Sequence, residues 1–242
     1  MRLIGRAALH VLWRISWILA VTLGWILFGY RSRGGRSTPR RGPVLICSNH
    51  QSFFDPIIVG MACYRPMHFF ARRTLFRGLF GALIRLYQAF PVERGSADPE
   101  AMRKALELLG MGRMVLMFPE GTRTRDGRMG TIRRGVGMLA ERSGAPVLPV
   151  FIHGAYHIWP RSRKLPKLFR RTLRVLVAEP MTFERREGEK KRSYHERIAS
   201  EVEAVMLGLQ ERAFEELPLP VASRGGHGDG KGDERPSAGD RE

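Results

Sequence analysis

PVLICSNHQSFFDPIIVGMAC, Pro43 to Cys63, changes character twice within 21 residues. A short apolar run gives way to a polar segment, and apolar sequence resumes behind Asp55 and Pro56. The first part reads as a buried strand. Pro56 disfavours helical backbone at Asp55 and suits the first turn of a helix, which the pattern extends over Pro56–Cys63 with Asp55 as its cap. A strand, a polar loop and a helix in that order are the opening of an α/β fold.

The same alternation continues downstream. "MHFFA", "AFPV", "RMVLMF", "PVLPVFI" and "LRVLVA" are rich in branched and aromatic residues and read as strands. Between them, helices are expected over Leu75–Tyr87, from Asp98 to about Gly110, over Gly135–Ser143 and over Ser193–Phe214. Asp98 supplies a cap, Pro99 a first position and Glu100 a dipole partner. Strands alternating with helices argue for an α/β sandwich around a central sheet, with strand directions left open by the pattern. Pro149 inside a buried strand calls for an edge, a bulge or a strand end.

The chain has 242 residues, 41 Lys plus Arg against 23 Asp plus Glu, and a net charge of +18. That balance calls for an anionic partner, a nucleic acid or a membrane surface. The N-terminus favours the membrane: Ala7 to Tyr30 is apolar apart from His10 and Arg14. Ile15–Tyr30 alone would make a helix of roughly 24 Å, and Ala7–Tyr30 one of about 36 Å, against ~30 Å of hydrocarbon. The segment therefore either spans or lies partly immersed, with Trp13, Trp17, Trp25 and Tyr30 suited to the interface. Arg31, Arg33, Arg36, Arg40 and Arg41 follow it, which by the positive-inside rule keeps the rest of the protein at the cytoplasmic face of the membrane. Cys47 and Cys63 are too few for a disulfide framework and are expected to be small core residues. Residues 1–42 thus read as anchor and basic linker, 43–217 as the main domain, and 218–242, glycine-rich and charged, as a disordered tail.

Chemistry concentrates in two loops. In "SNHQSFFDP", His50 and Asp55 are either an imidazole–carboxylate pair brought together by a loop or a surface histidine beside a helix cap; the nonapeptide alone favours the second. "FPEGTRTRDG", Phe118–Gly127, follows an apolar strand, where α/β proteins hold ligands. Arg123 and Arg125 there offer forked donors suited to phosphate. Between the two loops, "ARRTLFRGLFGALIRLYQAFPVERG" carries Arg72, Arg73, Arg77 and Arg94, either as a phosphate site or as a basic amphipathic helix on lipid.

Taken in order, these stretches resemble the glycerolipid acyltransferase family, whose best-known members are 1-acylglycerol-3-phosphate O-acyltransferases. The Asn-His-x4-Asp motif is present as Asn49, His50 and Asp55, the Phe-Pro-Glu-Gly-Thr-Arg motif as Phe118–Arg123, and a Val-x-Pro-Val strand as Val147–Val150. The second motif departs: Arg72 or Arg73 stands where the family commonly has lysine, and Leu79 where it has proline. The resemblance implies a mixed central sheet flanked by helices, of the glycerol-3-phosphate acyltransferase kind, behind a membrane-anchoring helix. It implies acyl transfer from acyl-CoA or acyl carrier protein to the sn-2 hydroxyl of a lysophosphatidic acid, giving phosphatidic acid. His50 would be the general base and Asp55 its partner. Glu120, Gly121, Thr122 and Arg123 would bind the acceptor, with Arg73 and Arg77 as further candidates. No metal or bound cofactor and no nucleic acid is implied; the expected partners are a membrane lipid acceptor, the acyl donor and an anionic membrane surface. The rival readings are an acyltransferase for another lysolipid, such as a lyso-ornithine lipid, and a non-catalytic basic membrane adaptor. A hydrolase using Ser48 or Ser52 is disfavoured, because neither serine sits in a glycine-flanked elbow.

Overall fold

The computed structural model describes residues 2–93 and 98–216, the first nine as backbone alone. Arg94 and the tail expected over 218–242 lie outside the described residues. In chain order the elements are α1 (Arg2–Phe28), β1 (Arg31–Arg33), β2 (Val44–Ser48), α2 (Asp55–Cys63), β3 (Met67–Arg72), α3 (Gly78–Leu86), β4 (Ala89–Val92), α4 (Pro99–Gly110), β5 (Met114–Met117), α5 (Gly135–Ser143), β6 (Val147–His153), α6 (Ala155–Ile158), β7 (Arg174–Val177) and α7 (Lys191–Glu216).

The seven strands form one sheet in the order β1-β7-β6-β2-β5-β3-β4. From β6 to β4 the neighbours are parallel; β7 runs antiparallel to β6, and β1 parallel to β7. The mixed sheet flanked by helices is therefore as the sequence resemblance implied. Strand β2, at its centre, is buried at every residue. Its side chains alternate between two cores: Leu45 and Cys47 face α4, α5 and α7, while Val44 and Ile46 face α2 and α6. Both cysteines are buried, as expected for core residues, and burial pushes the Cys63 thiol up to about 12.

Two sequence expectations shift. Arg31–Arg33, read as part of the basic linker, is a strand: Ser32 registers with Val175, so the sheet begins before residue 43. The helix expected over Leu75–Tyr87 opens instead as a 3-10 turn at Arg73–Leu75 and becomes α-helical only at Gly78. Of the edge, bulge or strand end that Pro149 called for, the pairing gives a bulge. Val150 pairs with Val177 and Val147 with Met181, so two residues on β6 face three on the other strand. The Pro149 carbonyl still accepts from Ala178 N–H at 3.0 Å.

Helix α1 is long and apolar enough to cross a membrane over Val11–Phe28 by length and composition. Its C-terminal half nevertheless lies along the domain. Trp17 Nε1 donates to the Met61 carbonyl at 3.1 Å, and Ala20, Val21 and Phe28 pack on the α2 side of the core. Contact extends toward the middle of the helix, where the Tyr87 hydroxyl donates to Ser16 Oγ at 2.8 Å and Leu12 and Trp13 line the cleft that His50 also lines.

Topology fixes where a ligand can sit. β2 and β5 are neighbours, yet the helices that follow them, α2 and α5, cover opposite faces of the sheet. That divergence opens a crevice at the C-terminal ends of these two strands, the usual ligand position in an open α/β sheet.

Candidate active site

The loops leaving β2 and β5 meet in that crevice. His50 Nδ1 lies 2.7 Å from Asp55 Oδ2. The same oxygen accepts from the backbone N–H of Gln51 at 2.6 Å and of Ser52 at 2.7 Å. Asp55 is fully buried, and its Oδ1 has no partner among the described residues. The sequence expectation that Asp55 caps α2 is thereby corrected: no side-chain cap bond forms, and the carboxylate turns back into the loop that precedes it. A cap and a loop clamp use the same residue type, which is why the sequence did not separate them.

The ring is fixed from two more sides. Phe118, the last residue before the β5 loop, stacks on His50 with centroids 4.0 Å apart and planes 11° from parallel. Glu120 Oε1 accepts from His50 N–H at 2.8 Å, and the His50 carbonyl accepts from Thr124 N–H at 2.8 Å. Asn49, one residue before, exchanges a pair of hydrogen bonds with the backbone of Ile152 at 2.7 and 2.9 Å, tying the β2 loop to β6. Gln51 reaches Gly127 O at 2.8 Å. With Nδ1 taken by the carboxylate, Nε2 is the nitrogen left for a reactant, and a ring held this way can accept a proton from an alcohol.

Of the acceptor-binding candidates, the structure brings some together and leaves others apart. Glu120 is buried with both oxygens occupied, Oε1 by His50 N–H and Oε2 by Gly130 N–H at 2.9 Å. Burial pushes its carboxyl up to about 7, against the pull of those two hydrogen bonds. Gly121 and Arg123 line the cleft beside His50, and the Arg123 guanidinium lies 3.5 Å from the centre of the Phe53 ring. Thr122 is exposed in the same loop. Arg73 is elsewhere, paired with Glu93 at 3.0 Å and with Glu100 at 3.6 Å. Neither Arg73 nor Arg77 lines the cleft.

Arg133 is the residue the sequence reading missed. Gly121 adopts φ +75°, and a Cβ there would sit 3.2 Å from the Arg133 guanidinium carbon. Arg133 lines the cleft, and its backbone N–H bonds to Pro119 O at 3.2 Å. The only sequence signal was the paired arginines of "IRRG" ahead of α5. The cleft itself holds about 2670 Å³, far beyond the ~300–1,000 Å³ typical of small-molecule pockets. Trp13 and Trp17 of α1, Ile57 of α2, and Phe80 and Leu83 of α3 supply apolar wall. Among the described residues no group of three His, Cys, Asp or Glu side chains is arranged to hold a metal ion.

Comparison with known proteins bears on the family and the fold. A family model described as "Acyltransferase" matches residues 30–153. The 1-acyl-sn-glycerol-3-phosphate acyltransferase of Pseudomonas aeruginosa is 33% identical over 152 residues, 60% of this chain and 56% of the relative. The chloroplastic 1-acyl-sn-glycerol-3-phosphate acyltransferase LPAT1 of Arabidopsis thaliana is 30% identical over 144 residues, 57% of this chain and 39% of the relative. The match to these two thus spans roughly half or less of their length. The crystal structure of the 1-acyl-sn-glycerophosphate (LPA) acyltransferase PlsC from Thermotoga maritima superposes with a TM-score of 0.69 at 25% identity, covering 89% of this chain and 84% of that one.

Proposed function

The chain belongs to the acyltransferase family, and on that premise we propose that it transfers a fatty acyl group from a thioester to the sn-2 hydroxyl of 1-acyl-glycerol-3-phosphate. The observation that carries the reading is the His50–Asp55 contact of 2.7 Å in a cleft walled by apolar side chains. A thioester already has a good leaving group, so the alcohol attacks it directly. His50 Nε2 takes the hydroxyl proton as the oxygen–carbon bond forms. The carbon–sulfur bond then breaks, and the departing thiolate is protonated. Asp55 keeps the proton on Nδ1 and stabilises the imidazolium while it lasts.

General-base catalysis is worth ~10²–10⁴-fold, whereas holding two reactants in contact lowers a barrier by up to ~7–11 kcal/mol. Positioning therefore outweighs the base, and the acceptor's phosphate is the obvious handle. Arg123 and Arg133, with the Gly121 backbone between them, are assigned to it; forked guanidinium groups suit a phosphate. Glu120 is assigned a positioning role, because both its oxygens hold backbone that carries His50 and the Gly121 loop. Acceptor and product are bilayer lipids, and α1 is read as an anchor that lies along the domain rather than crossing the membrane.

The test is acyl transfer from long-chain acyl-CoA and from acyl carrier protein in nanodiscs, with lysophosphatidic acid beside other lysophospholipids and a lyso-ornithine lipid. Turnover with the phosphate monoester acceptor, reduced a hundredfold or more in His50→Ala, is expected. Equal turnover by the variant would remove His50 from the mechanism. Preference for a zwitterionic or ornithine acceptor would replace the proposed substrate.

A further inference from the structure

Eleven residues that follow shortly after Trp159, itself a lining residue of the cleft, take no part in the chemistry above. The loop from Arg161 to Arg171 joins α6 to β7 and carries six cations, Arg161, Arg163, Lys164, Lys167, Arg170 and Arg171, and no acidic residue. Three large apolar side chains in the same loop face outward: Leu165 is 76% exposed, Phe169 70% and Leu168 51%. Exposed leucine or phenylalanine singly needs no explanation, but three within five residues, rimmed by cations, mark an interaction surface. Phe169 is moreover held at φ +58°, a left-handed conformation that bulky residues seldom adopt.

The loop is tied at both ends to elements already described. At its start, Trp159 packs against Phe53 and Phe54 of the His50 loop, with centroids 4.9 and 4.8 Å apart, and its Nε1 donates to Arg163 O at 3.1 Å. Lys167 N–H donates to Ile158 O at 2.8 Å. At its end, Leu173 N–H donates to Phe28 O at 3.2 Å, and Arg174 Nη1 donates to Gly29 O at 2.8 Å, both at the C-terminus of α1. Near the middle of α1, Ser16 meets Tyr87, just past the end of α3, at 2.8 Å. Helix α3 is itself largely exposed and apolar, with Leu79, Phe80 and Leu83 open to solvent. Helix α1 thus runs as a spine from α3 to this loop.

We infer that the loop Arg161–Arg171 is a second membrane-contacting element, which inserts Leu165, Leu168 and Phe169 among the acyl chains of an anionic bilayer while its six cations engage the lipid phosphates. Basic side chains near an anionic leaflet and apolar residues immersed at the headgroup boundary are complementary to that surface and to no neutral one. The inference concerns where the crevice meets the bilayer and does not rest on the acyl-transfer reading. Its consequence is orientational: a bilayer touched both by α3, beside the middle of α1, and by the loop at the C-terminus of α1 holds that part of the helix near the membrane plane.

The experiment uses the full chain with Leu168→Cys, labelled with a polarity-sensitive fluorophore. Cys47 and Cys63 are both buried and stay unlabelled. A parallel protein carries the label at Lys104→Cys, exposed on α4 across the sheet. Vesicles containing phosphatidylglycerol are expected to blue-shift the 168 probe and to quench it with nitroxide-bearing lipid, leaving the 104 probe unchanged. Vesicles of phosphatidylcholine alone are expected to do so weakly. The charge reversal Lys164→Glu with Lys167→Glu should cut the preference for anionic over neutral vesicles by about tenfold or more. Its acyl transfer to detergent-dispersed acceptor should stay within twofold. A 168 probe that stays in water, that responds equally to neutral lipid, or that moves no more than the 104 probe overturns the inference, as does an unchanged anionic preference in the reversal. Absence of acyl transfer in every protein would count against the proposed function alone, since the fluorescence reads the loop independently.

Discussion

Among the described residues stand two histidine–carboxylate pairs of nearly equal length and different surroundings. His50 and Asp55 are 2.7 Å apart, and His195 and Glu141 are 2.6 Å apart. In the first, the carboxylate is fully buried, accepts two further backbone N–H bonds, and orients a ring stacked on Phe118. In the second, the pair staples two helices. Glu141 of α5 also meets Lys191 at 3.5 Å, and the backbone of His195 on α7 presses so close to Gly137 that a Cβ there would come within 2.4 Å of it. The hydrogen bond from His195 holds the Glu141 carboxyl below its ordinary range. A short imidazole–carboxylate distance is therefore no mark of catalysis by itself. Both rings line the cleft; what separates the pairs is that the Asp55 carboxylate is clamped by two backbone N–H groups and the His50 ring is stacked on Phe118, whereas Glu141 is shared with Lys191.

The contrast is most exposed to test at the two imidazoles themselves. His50→Ala should lower kcat by ~10²–10⁴-fold, while His195→Ala should leave it within about threefold, read in the same nanodisc assay. Comparable losses in both would mean that the surroundings do not discriminate. Next comes the stability of Glu120. Its pKa rises from 4.5 unfolded to about 7 folded, so the folded state binds the extra proton. Glu120's own contribution to stability is then fullest below pH 4.5, falls as pH rises toward 7, and diminishes by on the order of 3 kcal/mol across that window. Thermal unfolding of Glu120→Gln should show a flatter dependence from pH 4.5 to 7. A slope equal to wild type would assign the pH dependence to other groups. Third, Arg133→Ala should cut kcat/KM for lysophosphatidic acid by about 10- to 100-fold, the worth of a charge-assisted hydrogen bond or two. Arg73→Ala, whose partners are Glu93 and Glu100, should change it little; the reverse ranking would return the phosphate to the β3 end. The smallest effect belongs to the partly buried pair between α5 and α7, where Glu141→Gln should cost about 1 kcal/mol in thermal stability, the net worth of one hydrogen bond.

Those contrasts also mark what the residues alone could say. The strands β2 to β7 were legible because each is a run of branched or aromatic side chains buried on the sheet. β1 was not, since "RSR" joins through backbone pairing with β7 and carries no apolar signal. The capping residues of α4 were legible, and Asp98 does accept from Glu100 and Ala101 N–H at 3.0 and 3.1 Å. Asp55 was half legible: its partnership with His50 followed from motif company, but its backward clamp on the loop depends on where Gln51 and Ser52 point. Pro149 announced an edge, a bulge or a strand end without revealing which, or that the extra residue lies on the other strand. Arg133 was invisible, because it meets Gly121 across a loop whose path is set by Glu120 and Gly130 rather than by periodicity. Arg73 looked like a phosphate ligand by charge, and its pairing with Glu93 and Glu100 was not legible from the sequence.

The Glu120 bridge has one more consequence. Because one carboxylate holds the His50 backbone with one oxygen and Gly130 with the other, the loop after β2 and the loop after β5 are a single mechanical part. Anyone exchanging headgroup preference between relatives by swapping residues 118–135 alone would transplant half of a joint. The graft needs residues 48–56 from the same donor, or His50, the proposed base, will arrive facing a pocket it was not built to serve.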